Sequence, residues 1–345
     1  MTNRQWILSK RPEGIVSRDC FRYHEQRDTR RTHDADTDVK VRYELLLCAP
    51  TIRNWIGGAR NSFHTVVELD QPVLAPAVGW VVESRRAGWP VGARVFGLGS
   101  WQDEEWVNSS NRKFRLLRKD VSSLQALGVA GPNSLTAYFG LLMVGRPESG
   151  ESLVVSGGAG SVGSAVAQIG KLKGCKVIAI CGGDEKRRWL LDACRIQHAI
   201  NYNTEEVAEQ LDQLAPDGID VYFDNVGGEI LRISIDRIRR RGRIVLCGQI
   251  SNYDTHTPPL QPQLNMMRLI YGHVRVEGFL ARDFEDHFDQ AIDDLLKWER
   301  EGSLVHREDV RAGFKELPDN FAALFRGGNR GTLIARIANE AGYPL

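Results

Sequence analysis

The sequence predicts an α/β domain, a parallel sheet with helices on both faces, carried together with a mostly β domain. Three observations predict it. From Ser152 onward, short apolar runs alternate with amphipathic stretches of helical length, the pattern of right-handed βαβ units. Before about residue 130 and after Leu304, short apolar runs are instead punctuated by Gly and Pro or by polar turns, as in a compact β domain. Between the two textures, an apolar strand runs into a glycine-rich turn that opens a helix.

In chain order, strands are expected at Val39–Cys48, Val78–Glu83 and Arg94–Gly97. The stretch from Arg18 to Lys40 is rich in charges of both signs that nearly cancel, which reads as solvated surface. SLQALGVAGPNSLTAYFGLLMVG, from Ser123, reads as helix broken at Gly131-Pro132. SLVVSG is then a strand and Ser161–Lys173 a helix; KVIAI a strand and Glu185–Cys194 a helix. HAINY is a strand and Glu205–Leu214 a helix; DVYFDNV a strand and Glu229–Arg240 a helix; RIVLCG is a strand again. RVEGFL supplies a sixth strand, followed by a helix from Phe284 to Glu301. The closing strand LIARIA rejoins the N-terminal β domain. The expected boundaries are 1–130 for the first part of the β domain, 131–303 for the α/β domain and 304–345 for the second part of the β domain.

Composition narrows the function. The chain has 345 residues, 26% charged and 42% hydrophobic, the proportions of a globular protein of one large or two medium domains. A formal net charge of +1 offers no field for nucleic acid or an anionic membrane, and no basic recognition stripe appears. No run of 18 apolar residues suggests a membrane span, and the N-terminus MTNRQWILSKRPEG has no signal-peptide core, so a cytoplasmic protein is expected. The six cysteines form no CxxC pair and no zinc-ligand cluster. They read as reduced, mostly buried thiols, and no catalytic metal is expected.

The glycine-rich segment runs from Leu153 to Gly163, and Gly158, Gly160 and Gly163 fit GxGxxG. The spacing alone is a weak signal; its strand–turn–helix context makes it a dinucleotide fingerprint. Glycines allow the tight turn, the close approach of backbone to a pyrophosphate, and helix–strand packing. The helix N-terminus, at Ser161 and Val162, offers unpaired N–H groups to phosphate. This is a Rossmann domain by its sequence logic. NAD sites place an acid at the tip of the second strand, about 20 residues on, to hold the ribose 2′-hydroxyl. Here KVIAI ends in Cys181-Gly182-Gly183, with Asp184-Glu185 and then Lys186-Arg187-Arg188 following. Small residues leave room for a 2′-phosphate and cations neutralise it, so NADPH is the expected cofactor, Lys186 its main phosphate partner, and Asp184 the helix N-cap. No tyrosine has a lysine four residues on, and no Cys/His ligand set appears, so neither a Tyr–Lys pair nor zinc is available to handle the proton.

Beyond these residues, the chain resembles the zinc-independent medium-chain dehydrogenase/reductases of the leukotriene B4 12-hydroxydehydrogenase / prostaglandin reductase type, nearest the bacterial curcumin-reductase branch. The resemblance covers nearly the whole chain and rests on ordered motifs: SWQDEEWV, SLTAYFGLL, VVSGGAGSVGSAVAQIGKLKGCKV, GGDEK, GIDVYFDNVGGEIL, RIVLCGQISNYD and FRGGNRGTLIARI. It implies a GroES-like β domain, a homodimer associating through nucleotide-domain edges, and metal-free hydride delivery from NADPH to the β-carbon of an α,β-unsaturated ketone or aldehyde. The resulting enolate oxygen needs stabilisation. Position by position, it implies cofactor roles for Thr136, Gly182, Lys186, Tyr202, Asn225, Cys247, Gly248 and Ser251. The backbone of Phe279 and Leu280 and the side chain of Asn329 join them. Tyr253 and Tyr271 match tyrosines with catalytic or substrate-orienting roles. The family's Ser-x-Asp-Pro-Tyr-Met-Arg-Gly stretch reads Leu47-Cys-Ala-Pro-Thr-Ile-Arg-Asn-Trp55 here. Ala49 replaces the acid and Thr51 the tyrosine, so Thr51, Asn54 and Trp55 would shape a different substrate pocket. A quinone reductase and a non-catalytic NADPH-binding protein are the alternative readings.

Overall fold

The computed structural model describes residues 2–27, 38–58, 65–108, 114–253 and 264–339. Residues 28–37 of the charged Arg18–Lys40 stretch and Asp254, which ends the RIVLCGQISNYD motif, lie outside the described residues.

The chain forms two compact units, residues 1–127 with 308–345, and residues 128–307. The first unit opens with a hairpin of β1 (Thr2–Leu8) and β2 (Phe21–Arg27). Strand β3 (Asp38–Leu47) leads into the short helix α1 (Ile52–Gly57), then β4 (Leu74–Ser84), β5 (Arg94–Ser100), β6 (Glu104–Asn108), β7 (Arg115–Leu116) and helix α2 (Ser123–Leu127). The second unit begins with helix α3 (Pro132–Phe139), continued by a π-helical turn over Gly140–Gly145. It continues with β8 (Ser152–Val155), α4 (Ser161–Leu172), β9 (Lys176–Cys181), α5 (Asp184–Asp192), β10 (His198–Asn201) and α6 (Val207–Leu214). Then follow β11 (Ile219–Asp224), α7 (Gly228–Arg237), β12 (Ile238–Leu246), α8 (Met266–Gly272), β13 (Arg275–Gly278) and α9 (Phe288–Arg300). The chain returns to the first unit with β14 (Glu308–Ala312), α10 (Leu317–Leu324) and β15 (Thr332–Arg336).

In the first unit the larger sheet has the order β14-β15-β3-β4-β5-β7, with β6 also paired to β3. The returning strand β15 lies antiparallel to β3, Ile334 opposite Leu47. A core containing Trp6, Tyr43, Trp101 and Phe321 closes the unit, and the Trp6 indole N–H donates to the Phe314 carbonyl at 2.9 Å.

In the second unit six parallel strands take the order β10-β9-β8-β11-β12-β13. The order reverses between β8 and β11, and α/β sheets bind ligands beyond the strand ends at such a switch point. Strand β8 is buried at every residue, as expected where helices cover both faces. Among the described residues no helix is long and apolar enough to cross a membrane.

Three expected elements differ. The helix expected to Arg240 ends at Arg237, because Ile238 is buried and enters the ladder opposite Ile219 as the start of β12. The helix expected from Phe284 begins as a 3-10 turn over Ala281–His287 with non-helical Phe284, and is α only from Phe288. Asp184 is the first residue of α5 and not its N-cap; that position belongs to Gly183, whose φ of 93° suits glycine.

Candidate active site

The phosphate-binding turn is built from glycines with separate tasks. Gly157 adopts φ 60° and makes the turn, and the N–H of Gly158 donates to the Ile180 carbonyl at 2.8 Å. A methyl carbon on Gly158 would stand 2.8 Å from the Ala179 Cβ, and one on Gly163 would stand 2.2 Å from the Gly157 carbonyl oxygen. These positions exclude any side chain, so α4 seats directly on the turn. Gly160 is the N-cap of α4 and no side chain caps the helix, which leaves its first turn, Ser161 and Val162 included, open to an anion. The Asn133 amide donates to the Ser161 hydroxyl at 3.0 Å, tying the start of α3 to the start of α4.

One strand further, the tip of β9 is a clamp. Asn201 is buried at the end of β10, accepts from the Gly183 N–H at 2.9 Å and donates to the Asp184 carboxylate at 2.8 Å. The acid nearest the tip is therefore engaged by the neighbouring strand. The Tyr202 hydroxyl lies across Gly182, 2.6 Å from where a methyl carbon would sit. Arg187 is occupied by the Ala199 carbonyl at 2.9 Å and by Glu205 at 3.8 Å. Burial pushes the Cys181 thiol up to about 11 against the pull of Lys186 and Arg187.

On the other side of the switch point the hub is Asp224, buried at the end of β11. Its carboxylate accepts from Ser156 at 2.9 Å, Tyr222 at 2.8 Å, Val226 N–H at 3.2 Å and Gly227 N–H at 3.0 and 3.1 Å. Burial, followed by the Asp224 charge, pushes the Tyr222 phenol well above its usual range. The Asp224 backbone carbonyl accepts from Cys247 N–H at 2.9 Å and Gly248 N–H at 3.0 Å. Asn225 donates to the Ser156 carbonyl at 2.8 Å, Ser251 to the Val226 carbonyl at 2.6 Å, and Thr136 to the Pro132 carbonyl at 2.8 Å. These side chains shape the strand ends first; toward a ligand they offer lone pairs and, for Asn225, a second N–H. Burial lifts the Cys247 thiol to about 12, helped by Asp224.

The two tyrosines part company. The Tyr253 hydroxyl stands 3.6 Å from where a methyl carbon on Gly248 would lie, at the C-terminal end of β12. Tyr271 is 75% exposed on α8, the helix that feeds the N-terminal end of β13. Phe279 and Leu280 directly follow the C-terminal end of β13.

In the first unit, Thr51 precedes α1, while Asn54 and Trp55 lie on it. Trp55 packs against the core, and its carbonyl accepts from Val67 N–H at 2.9 Å. Asn329 donates to the Gly331 carbonyl at 2.7 Å, just before β15. Because the Cys48 N–H donates to the Leu333 carbonyl at 2.9 Å, Asn329 and α1 belong to the same end of that sheet. The sequence reading missed Gly157, Asn133, Asn201 and Asp224. Gly157 has a visible signal in the doubled glycine; the others act through partners distant in sequence.

The fold and this arrangement of strand ends define a dinucleotide-dependent oxidoreductase. Residues 4–115 match the family described as the N-terminal domain of oxidoreductase, and residues 161–297 the zinc-binding dehydrogenase family. The chain is 32% identical to the NADPH-dependent curcumin reductase of Escherichia coli, covering 98% of each chain. It is 38% identical to prostaglandin reductase 1 of Bos taurus, covering 76% of this chain and 81% of that one. The crystal structure of CurA in complex with NADPH from Vibrio vulnificus superposes with a TM-score of 0.89 at 32% identity, covering 96% of this chain and 98% of that one. The chain belongs to the medium-chain dehydrogenase/reductase family, in the branch that holds curcumin reductase and prostaglandin reductase 1. Among the described residues no group of three His, Cys, Asp or Glu side chains could hold a metal ion.

Proposed function

We propose that the protein is an NADPH-dependent reductase of carbon–carbon double bonds conjugated to a ketone or aldehyde. The observation that carries this reading is the tip of β9, where Gly183 leaves space, Tyr202 lies over Gly182 and Asn201 holds the Asp184 carboxylate, with Lys186 on the following turn. The glycine-rich turn and the uncapped α4 fit the pyrophosphate, and Lys186 fits the 2′-phosphate.

NADPH, when bound, supplies the hydride. The protein positions and polarises. Helix α4 would hold the phosphates with its first-turn N–H groups. The Asp224 hub fixes Asn225, Cys247 and Gly248 at the strand ends, so the floor of the site is set before substrate arrives. Tyr253, over Gly248, would donate a hydrogen bond to the carbonyl oxygen as negative charge develops there, and a proton from solvent would then reach the α-carbon of the enolate. A quinone is the alternative acceptor for the same hydride.

The experiment is NADPH oxidation against a panel of enones, enals and quinones, with product analysis. Enone reduction at the double bond, faster than any quinone, is the expected result; quinone preference selects the alternative, and NADPH binding without turnover means a non-catalytic protein. Tyr253→Phe is expected to lower enone turnover more than about tenfold, about 1.4 kcal/mol of barrier, and Tyr271→Phe is compared beside it. If neither does, no phenol stabilises the enolate.

We also place the protein in the cytoplasm, supported by six free cysteines, and as a homodimer. Strand β13 ends the sheet with all four residues exposed, beside exposed Met266, Met267, Ile270 and Tyr271 on α8. Such an edge invites a second copy of itself. Antiparallel pairing would bring α8 of one copy toward Phe279 and Leu280 of the other, which gives Tyr271 a route to a site. Val276→Pro, measured by light scattering, should give monomers.

A further inference from the structure

From the packing beneath β13 we infer that Gly140 is a positioning residue for the nicotinamide half of the cofactor, acting through Phe279. The inference rests on the NADPH reading above. Strand β8 carries the phosphate turn and β9 carries the 2′-phosphate end. In a sheet of this order the second half of a dinucleotide lies across the switch point, over the ends of β11, β12 and β13. The last of these strands is held by its ladder to β12, while all four of its residues are exposed and bury little side-chain surface.

Its anchor is Phe279. The half-buried ring sits in a pit whose base is Gly140. A methyl carbon on Gly140 would stand 2.3 Å from Phe279 Cζ, 2.7 Å from its Cε1 and 2.9 Å from Phe223 Cε2. The Phe223 and Phe279 rings meet edge to face at 6.4 Å. One residue earlier, Phe139 stacks on Phe284 at 5.1 Å and on Phe288 at 5.6 Å. Two consecutive residues at the end of α3 thus grip both ends of the segment that leaves β13.

The floor of the pit is itself fixed. Gly140 opens the π-helical turn that follows α3, and such turns are frequent at functional sites. The far end of that turn is laced to the sheet. Arg243 donates to the Gly145 and Arg146 carbonyls at 3.0 Å each and pairs with Glu151 at 2.8 Å, and Arg275 of β13 donates to the Val144 carbonyl. A side chain at position 140 would expel the Phe279 ring, and the backbone of Phe279 and Leu280 would follow it.

The test measures affinity for NADPH and for 2′-phospho-ADP-ribose, which lacks the nicotinamide, together with the fluorescence of bound NADPH. In Gly140→Ala, the fragment should bind as in the parent, while the advantage of NADPH over the fragment should fall about fivefold or more. Phe279→Leu in the Gly140→Ala background, which makes room for the methyl group, should restore most of that advantage and the parental fluorescence. Phe279→Ala, which empties the pit without crowding it, should lose the advantage as Gly140→Ala does; it decides the matter if Gly140→Ala does not fold. An unchanged NADPH advantage in either single variant, or no recovery in the double variant, would overturn the inference. Failure of the reductase reading looks different: the parent protein would bind NADPH and turn over no acceptor, with the binding comparison still legible.

Discussion

At Lys186 the reading depends on one ammonium group in the first turn of α5, beside two arginines with backbone partners. Arg187 is spent on Ala199 and Glu205, and Arg188 reaches back to the Asp184 carbonyl at 3.4 Å. Lys186→Ala is therefore expected to weaken NADPH binding about tenfold to a hundredfold, the loss of a charged hydrogen bond worth about 1.5–3 kcal/mol, and to leave NADH binding unchanged. Titration with both cofactors checks it; equal weakening of the two would remove Lys186 from the phosphate. At this scale the sequence was legible where function and local rule coincide, as in the glycines and the acid-free strand tip. It was not legible where a side chain answers to another strand. Asp184 looks like a helix cap from its neighbours alone, but its carboxylate belongs to Asn201, 17 positions on.

Elements were legible by periodicity and blurred where a tertiary contact overrides it. Helix α7 stops at Arg237 because burying Ile238 beside Ile219 outweighs the helical character of the arginines that follow. The run GLLMVG reads as helix, and only the packing against β11 to β13 shows that it is a π turn. Helix α4 offers the sharpest prediction at this scale. Gly163→Ala should destabilise the fold by about 1–3 kcal/mol, as overpacking of a tight interior does, because its methyl group would press on the Gly157 carbonyl. It should also weaken NADPH binding, since helix and turn must separate. Urea denaturation and cofactor titration read the two effects; a variant with parental stability would contradict the packing.

For the molecule as a whole, the alternation of strands and helices made the parallel sheet legible, and motif order made the family legible. The strand order and the antiparallel pairing of β15 with β3 depend on contacts too distant for any local pattern. Buried thiols run through both units. Burial raises Cys48, Cys194 and Cys247 to about 12, and Cys175 and Cys181 to about 11, from the ordinary 9.0. Raised acids bind their protons more tightly in the folded state. Their contribution is whole below the unfolded thiol value and is lost as pH climbs from about 9 toward 11 and 12. Melting temperature should fall across that window, and Cys194→Ala should shallow the fall. A flat profile between pH 9 and 11 would contradict the burial.

The pairing of β15 with β3 has a consequence during synthesis. Leu47 leaves the ribosome 287 positions ahead of its partner Ile334. At elongation rates of about 5–20 residues per second, that gap lasts roughly 15–60 seconds. The nucleotide-binding unit, contiguous from Gly128 to Arg307, is complete before the wait ends. The first unit is not: beyond its pairing with β6, the Leu45–Leu47 end of β3 lacks its β15 neighbour, and the Trp6 indole has no Phe314 carbonyl to meet. The nascent chain thus carries an open strand edge for most of its synthesis, and a truncation before β15 would leave that edge open for good.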